Sequence, residues 1–320
     1  MKRIGVVGTM VWDTIHGRDP ARGPVEEWGG IAYALAALDA TLGADWEIVP
    51  LIKVGRDLAP RANAFLRGVG RAAPGARFIE VAEPNNRVTL RYLDTERRCE
   101  QLVGGVPAWT WGELGPMVAD LDALYVNFIS GYEMSVETAR MLRVGFPRLI
   151  YADLHSLFLG AGADGMRVPQ ALPDPPAWFG CFDVVQLNEQ EMAYLGDDPL
   201  AAAAGALAGG CRALIVTLGA RGAVYFARPS EGLKTGGTGG GGGPIESARI
   251  PVDPADQAPV TTGDPTGCGD VFGAAACAAI IDGADLPAAL RGATRIAARN
   301  VTHRGATGLR DHLLGRLAHA

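Results

Sequence analysis

Short apolar runs alternate with stretches of helical periodicity along nearly the whole chain, and this rhythm restricts the fold more than any other feature of the sequence. Apolar runs at residues 4–7, 46–52 and 123–128 are followed by helical patterns at 31–42, 60–69 and 136–144. Further runs at 148–152, 184–187 and 213–217 are interleaved with helical patterns at 189–195 and 200–208, and two more helices are read at 271–281 and 287–299. Strand and helix in repeated exchange predict an α/β fold whose sheet is mostly parallel and covered on both faces. In such sheets ligands bind beyond the carboxyl ends of the strands.

One stretch departs from the rhythm. Residues 87–102 alternate polar and apolar side chains around Asp94-Thr95-Glu96, which reads as a half-exposed hairpin. Residues 235–243, Thr-Gly-Gly-Thr-Gly-Gly-Gly-Gly-Gly, form the sole low-complexity segment, and with no Gly-Lys-Ser/Thr after it this is a surface connection between late strands rather than a Walker loop. No repeat of 20–50 residues is evident.

With 320 residues, 48% hydrophobic and 20% charged, the chain has enough material for a large α/β core in a water-soluble protein. A net charge of -6 argues against a nucleic-acid or anionic-membrane surface and favours small-molecule chemistry. Cys99, Cys181, Cys211, Cys268 and Cys277 are scattered, without a Cys-x-x-Cys pair, so they read as thiols in a reducing cytoplasm rather than as disulfides or zinc ligands. The first residues lack a signal peptide's apolar core, and no apolar run has the length of a membrane span.

The chemistry concentrates at residues 263–273, Gly-Asp-Pro-Thr-Gly-Cys-Gly-Asp-Val-Phe-Gly. Gly267 and Gly269 leave backbone N–H groups uncovered where a small-residue helix begins, and a helix start gathers unpaired donors and partial positive charge suited to a phosphoryl group. Asp270 at the same place can accept the proton of an attacking hydroxyl, or can be an ordinary N-cap.

This segment resembles the signature loop of the PfkB, or ribokinase-like, carbohydrate kinases, and five further segments match that family's pattern in the same order. The resemblance implies a three-layer α/β/α ribokinase-like domain over residues 1–320, with a small β lid built from segments near 12–28 and 86–106. It makes Asp270 the catalytic base, the backbone of Gly267, Cys268 and Gly269 the anion hole, and Thr266 part of the nucleotide site. Asp13, five residues after Gly8, corresponds to the aspartate that binds sugar hydroxyls; a turn-capping Asp is the alternative from the residues alone. Gly29 and Gly30 match the di-glycine start of the helix under the sugar, with Ala34 where most members carry a substrate-contacting asparagine.

Asn188 and Glu191 match an Asn-x-x-Glu motif that organises Mg²⁺ through its waters, while an N-capping Asn would explain the same residues. Thr217, Gly219 and Gly222 match the turn along the nucleotide's phosphates and ribose, and Asn300, with Gly305, falls where the family lines the adenine pocket; a plain hairpin turn and a helix C-cap are the alternatives. Gly131 and His155 are candidate acceptor-pocket residues, and a hydrogen-bonded core histidine is the alternative for His155. Leu157 replaces an arginine found in many members, which removes any reason to expect a phosphorylated sugar. Arg87 or Arg91 on the lid could reach the phosphates, or be solvated hairpin charges.

The implied activity is an ATP- and Mg²⁺-dependent transfer of phosphate to a hydroxyl of a sugar, sugar-like molecule or nucleoside, with a monovalent cation and a lid-paired homodimer as further features that some members show. A catalytically silent ligand-binding protein on the same fold is the rival. A NAD-dependent Rossmann enzyme would need Gly-x-Gly-x-x-Gly after the first strand, which Gly5-Val-Val-Gly8 does not supply.

Overall fold

The computed structural model describes residues 1–16, 23–92, 98–228, 244–254 and 264–316. The glycine-rich 235–243, the Asp94-Thr95-Glu96 turn and Gly263 lie outside the described residues.

The chain opens with β1 (Lys2–Val7), turns through β2 (Met10–His16) and β3 (Val25–Gly30), and enters α1 (Ile31–Thr41). Then come β4 (Trp46–Leu51), β5 (Lys53–Gly55), α2 (Ala59–Arg67), β6 (Ile79–Val81), β7 (Arg87–Tyr92) and β8 (Arg98–Val103). Next are α3 (Trp111–Val118), β9 (Ala123–Asn127), α4 (Val136–Gly145), β10 (Leu149–Asp153), β11 (Leu159–Ala161) and β12 (Arg167–Pro169). They lead to α5 (Pro175–Phe179), β13 (Val184–Asn188), α6 (Glu189–Ala193), α7 (Pro199–Gly209) and β14 (Ala213–Thr217). The described elements end with β15 (Ala223–Ala227), β16 (Glu246–Ile250), α8 (Cys268–Ile281), α9 (Leu286–Asn300) and α10 (Leu309–Leu313).

Eight strands form the central sheet in the order β16-β15-β14-β13-β10-β9-β1-β4. The six from β14 to β4 are parallel and the two at the β16 edge antiparallel. Successive side chains on a strand point to opposite faces, so each apolar run supplies two cores at once. Along β9, Ala123 and Tyr125 join the core beneath α1, α2, α8, α9 and α10, while Leu124 and Val126 join the core beneath α3, α4, α5 and α7. A strand buried on both faces needs apolar residues throughout, which is why these runs do not alternate.

A second sheet of four strands, β3-β2-β7-β8, stands at the carboxyl end of the first. The alternating segment 87–102 is its β7–β8 hairpin, antiparallel with Tyr92 opposite Arg98. Val11 and Ile15 of β2 and Val88 and Leu90 of β7 make its own small apolar cluster, against which Ile129 packs. Here one face is buried, and the alternation follows from that.

Several helices begin at a side-chain cap. Ser135, Asp198 and Asp285 accept hydrogen bonds from first-turn N–H groups of α4, α7 and α9. In contrast, α1 and α8 begin at Gly30 and Gly267 with no side-chain cap, and both glycines line the same cavity. Among the described residues, no helix is long and apolar enough to cross a membrane.

Candidate active site

A polar residue closes each of four neighbouring parallel strands: Asn127 on β9, Asp153 on β10, Asn188 on β13 and Thr217 on β14. Beyond these ends, beneath the four-stranded sheet, lies a cavity of about 770 Å³. It brings together Asp13, Gly30, His155, Asn188, Glu191, Thr217, Gly219, Thr266, Gly267, Gly269 and Asp270 from distant parts of the sequence.

Asp270 sits in the first turn of α8, three residues past the N-cap. The N-cap position belongs to Gly267, so Asp270 is not the capping residue. The Asn127 side chain donates to Asp270 Oδ1 at 2.7 Å and orients the carboxylate from the end of β9. Pro265 to Cys268 form a tight turn closed by Cys268 N–H donating to the Pro265 carbonyl at 3.1 Å, with Gly267 at φ +77°. This alters the expected anion hole. The Cys268 N–H is consumed by the turn, whereas among the described residues the N–H groups of Gly267 and Gly269 have no acceptor. The Cys268 thiol is turned away from the cavity, next to Asn300, and burial pushes it up to about 11.

Asn300 does not line the cavity. It is fully buried at the end of α9, where its amide donates to the Thr266 carbonyl at 2.9 Å and ties the helix to the loop from behind. Gln186 supports the loop from the sheet side, donating to Asp153 Oδ2 at 2.6 Å and to the Gly269 carbonyl at 3.1 Å, while Tyr151 donates to its Oε1. The loop that presents N–H groups to the cavity is therefore held by side chains from β13 and α9.

Asn188 and Glu191 form a capping box at the start of α6 as well as lining the cavity. Asn188 N–H donates to Glu191 Oε2 at 2.7 Å, the Asn188 amide donates to Oε1, and Nδ1 of His155 lies 2.5 Å from the same Oε1. Burial alone would lower the His155 pKa, but the Glu191 carboxylate overrides it and lifts it to about 9. Asp153, on the other side of His155, is pushed up to about 8 by burial and then by the Glu191 charge. Among the described residues no cluster of three or more His, Cys, Asp or Glu side chains could enclose a metal ion. Both oxygens of Glu191 are already occupied, so this donor set fits an ion that keeps its own water shell and meets the protein through it.

On the opposite wall, the buried Asp13 carboxylate occupies space that only a glycine at position 29 leaves open. A Cβ on Gly29 would come 1.8 Å from Asp13 Oδ2. The conjunction of Asp13 with the Gly29-Gly30 pair is thus a steric requirement. Val11, Val88, Leu90 and Ile129 make the surrounding wall apolar.

Several expected contacts are absent from the cavity lining. Ala34 is fully buried in the core on α1, one helical position around from Tyr33, which does line the cavity. Gly131 is not part of the lining, and its N–H donates to Glu133 Oε2 at 3.0 Å. Gly222 closes the β14–β15 hairpin and lies outside the lining, as do Cys268 and Gly29. Leu157 belongs to the core beneath α4 and α5. Arg87 pairs with Asp57 at 2.8 Å, away from the cavity. Sequence reasoning missed Asn127, Tyr33 and Gln186 as parts of the site. For Asn127 a signal existed: a polar residue ending an otherwise apolar strand, repeated on the adjacent parallel strands.

Comparison with known proteins bears on this arrangement. The family model for pfkB family carbohydrate kinases matches residues 164–312. Over those residues the sequence is similar to that family. The pfkB match takes in Asn188, Glu191, Thr217, Gly219 and the loop through Asp270, and leaves Asp13, Tyr33, Asn127, His155 and the four-stranded sheet outside it. The fold as a whole is ribokinase-like. The ribokinase of Thermotoga maritima is 19% identical with a TM-score of 0.69, over 99% of this chain and 99% of that one. A nucleoside kinase of Burkholderia thailandensis, solved with inosine, is 18% identical with a TM-score of 0.71, over 98% and 97%. A pyrophosphate-dependent kinase of the ribokinase family, solved with sulfate, is 18% identical with a TM-score of 0.73, over 98% and 100%. No curated protein sequence matches the chain.

Proposed function

We propose that this protein is a kinase that transfers the terminal phosphoryl group of ATP to a hydroxyl of a sugar, sugar-like molecule or nucleoside. The observation that carries the reading is Asp270, held by Asn127 at 2.7 Å beside the unused N–H groups of Gly267 and Gly269, in one cavity with Asp13.

Asp13 accepts a hydrogen bond from the acceptor and turns its reactive hydroxyl toward Asp270. Asp270 takes the hydroxyl proton as the new O–P bond forms and the bond to the leaving group breaks. Charge that builds on the transferring group faces the Gly267 and Gly269 N–H donors, which the turn and the Gln186 and Asn300 tethers hold in place before the reaction. Asn188 and Glu191 would hold a magnesium ion through its waters, and the ion would supply charge neutralisation on the phosphates. Thr217 and Gly219 flank the donor, and the four-stranded sheet covers the acceptor and excludes water. The five cysteines are free thiols.

The test is product formation from Mg·ATP and, separately, from pyrophosphate, across pentoses, hexoses, cyclic polyols and nucleosides, for wild type and Asp270→Asn. An acceptor-dependent rate that drops about a thousandfold in the variant, with an unchanged melting temperature, is expected. Acceptor binding without turnover would make the protein a silent binder, and turnover with pyrophosphate alone would overturn ATP as donor.

A further inference from the structure

Tyr33 lines the cavity, yet is only 2% exposed. Its ring lies flat against the turn of the anion loop: a Cβ on Gly267 would come 2.4 Å from ring carbons Cγ and Cδ1. A glycine is needed at that position for the tyrosine to fit. The ring is therefore fixed by packing, and the hydroxyl at its end cannot wander.

That hydroxyl has no hydrogen-bond partner among the described residues. The phenol of a mostly buried tyrosine normally finds one, and this hydroxyl is not sealed inside the fold, so what it meets is the cavity. The carboxylates of Asp13, Asp264, Asp270 and Glu27 are near enough to act on it electrostatically, and none of them accepts its proton. Burial first, and then these four charges, keep the phenol neutral, so it remains a donor throughout the working pH range. A donor held rigidly between the acceptor-side aspartate and the base, and left unused by the fold, is a place prepared for a ligand oxygen.

We propose that the Tyr33 hydroxyl is an acceptor-binding group, donating a hydrogen bond to an acceptor oxygen adjacent to the one that Asp270 deprotonates. This rests on the kinase reading above and adds a selectivity to it. Asp13 only accepts hydrogen bonds and Tyr33 here donates, so the pair matches neighbouring hydroxyls, each of which can do both. An ammonium in place of the second hydroxyl has no lone pair for Tyr33, and a deoxy position leaves the phenol unpaired. Val11, Val88, Leu90 and Ile129 then receive the carbon face of the ring. The acceptor class is a neutral ring or chain with a vicinal diol beside the phosphorylated hydroxyl. Ala34, buried in the core, plays no part in holding it, and the adjacent helix position does so instead.

The test uses Tyr33→Phe, which keeps the ring against Gly267 and removes only the oxygen. For an acceptor that the wild type phosphorylates, the variant is expected to lose about tenfold to a hundredfold in kcat/KM, mainly through acceptor KM. Donor KM should be unchanged, and the melting temperature equal to that of the wild type, because the hydroxyl makes no bond within the fold. Calorimetric binding of the same acceptor without donor should weaken by a similar factor. The analogue of that acceptor lacking the adjacent hydroxyl should be a poor substrate for the wild type and nearly insensitive to the substitution. Equal acceptor kinetics and binding in wild type and variant would overturn the assignment while leaving the kinase standing. A variant with lowered melting temperature and both KM values raised would also overturn it, in favour of a packing role. If the wild type neither binds nor phosphorylates any acceptor tested, the kinase reading fails and the Tyr33 assignment falls with it.

Discussion

The two walls of the cavity are built by different means. On the proposed reading, one is a donor wall of backbone N–H groups and a capping box at helix starts on the large sheet, at Gly267, Gly269, Asn188 and Glu191, and the other an acceptor wall. The acceptor wall consists of side chains on β2, β7 and α1, namely Asp13, Tyr33 and a few aliphatic residues, each placed by packing against a glycine or a neighbour. Backbone donors serve any phosphate and tolerate exchange of the side chains around them. Side-chain contacts read one particular acceptor and change with it. The family match behaves accordingly, covering the donor wall and leaving the acceptor wall outside.

Substitutions on each side should therefore separate cleanly. Among substitutions confined to one wall, the largest effect is expected from Gly29→Val, whose Cβ must displace the Asp13 carboxylate from a site 1.8 Å away. Acceptor kcat/KM should fall about a hundredfold or more, as an ångström-scale misplacement does, with donor KM unchanged in steady-state kinetics. A parallel loss of donor affinity would mean that the two walls are not independent.

Glu191→Gln acts on the other wall. It removes the charge that His155 and Asn188 address, and should raise the Mg²⁺ concentration for half-maximal rate about tenfold, leaving acceptor KM alone. A magnesium titration at saturating acceptor decides it, and a shift in acceptor KM instead would assign Glu191 to the acceptor wall.

The smallest effect is expected at a pair that belongs to neither wall. Lys53 is buried and bonds the half-exposed Glu113 at 2.9 Å, and that bond holds the Glu113 carboxyl at about 2. A carboxyl depressed in the folded state stabilises above its unfolded pKa and loses that contribution as pH falls through the folded value. Glu113→Gln retains the capping box with Thr110 and should cost about 1 kcal/mol at pH 7, because solvent screens the exposed partner. The difference should shrink as denaturation is repeated from pH 5 down to 2. Neither KM should move, and a kinetic effect would show that stability alone disturbs the walls.

Local rules made much of the molecule legible. Unbroken apolar runs revealed strands buried on both faces, and the alternating 87–102 revealed a half-buried hairpin. Asp270 and the glycines before it marked the loop because a helix start without a side-chain cap is written in consecutive residues. Less accessible were the consequences of residues far apart in the chain meeting. Cys268 was expected to give its N–H to a phosphate, but the turn it closes takes that donor. Asn300 was expected at the nucleotide, but α9 brings it behind the loop, against Thr266. Tyr33 carries no local signal, because what places its ring is Gly267, more than two hundred positions later.

By itself, then, the sequence determined the order of strands and helices, the parallel sheet and the loop at Asp270, because each follows from side-chain periodicity or from backbone preferences of neighbouring residues. Tertiary structure alone decided which donors remain free, which carboxylate Asn127 orients, and which of Tyr33 and Ala34 faces the cavity. Those outcomes depend on distances between elements, and consecutive residues on a helix point about 100° apart, so a small rotation of α1 in its packing is enough to exchange a core residue for one that lines the cavity.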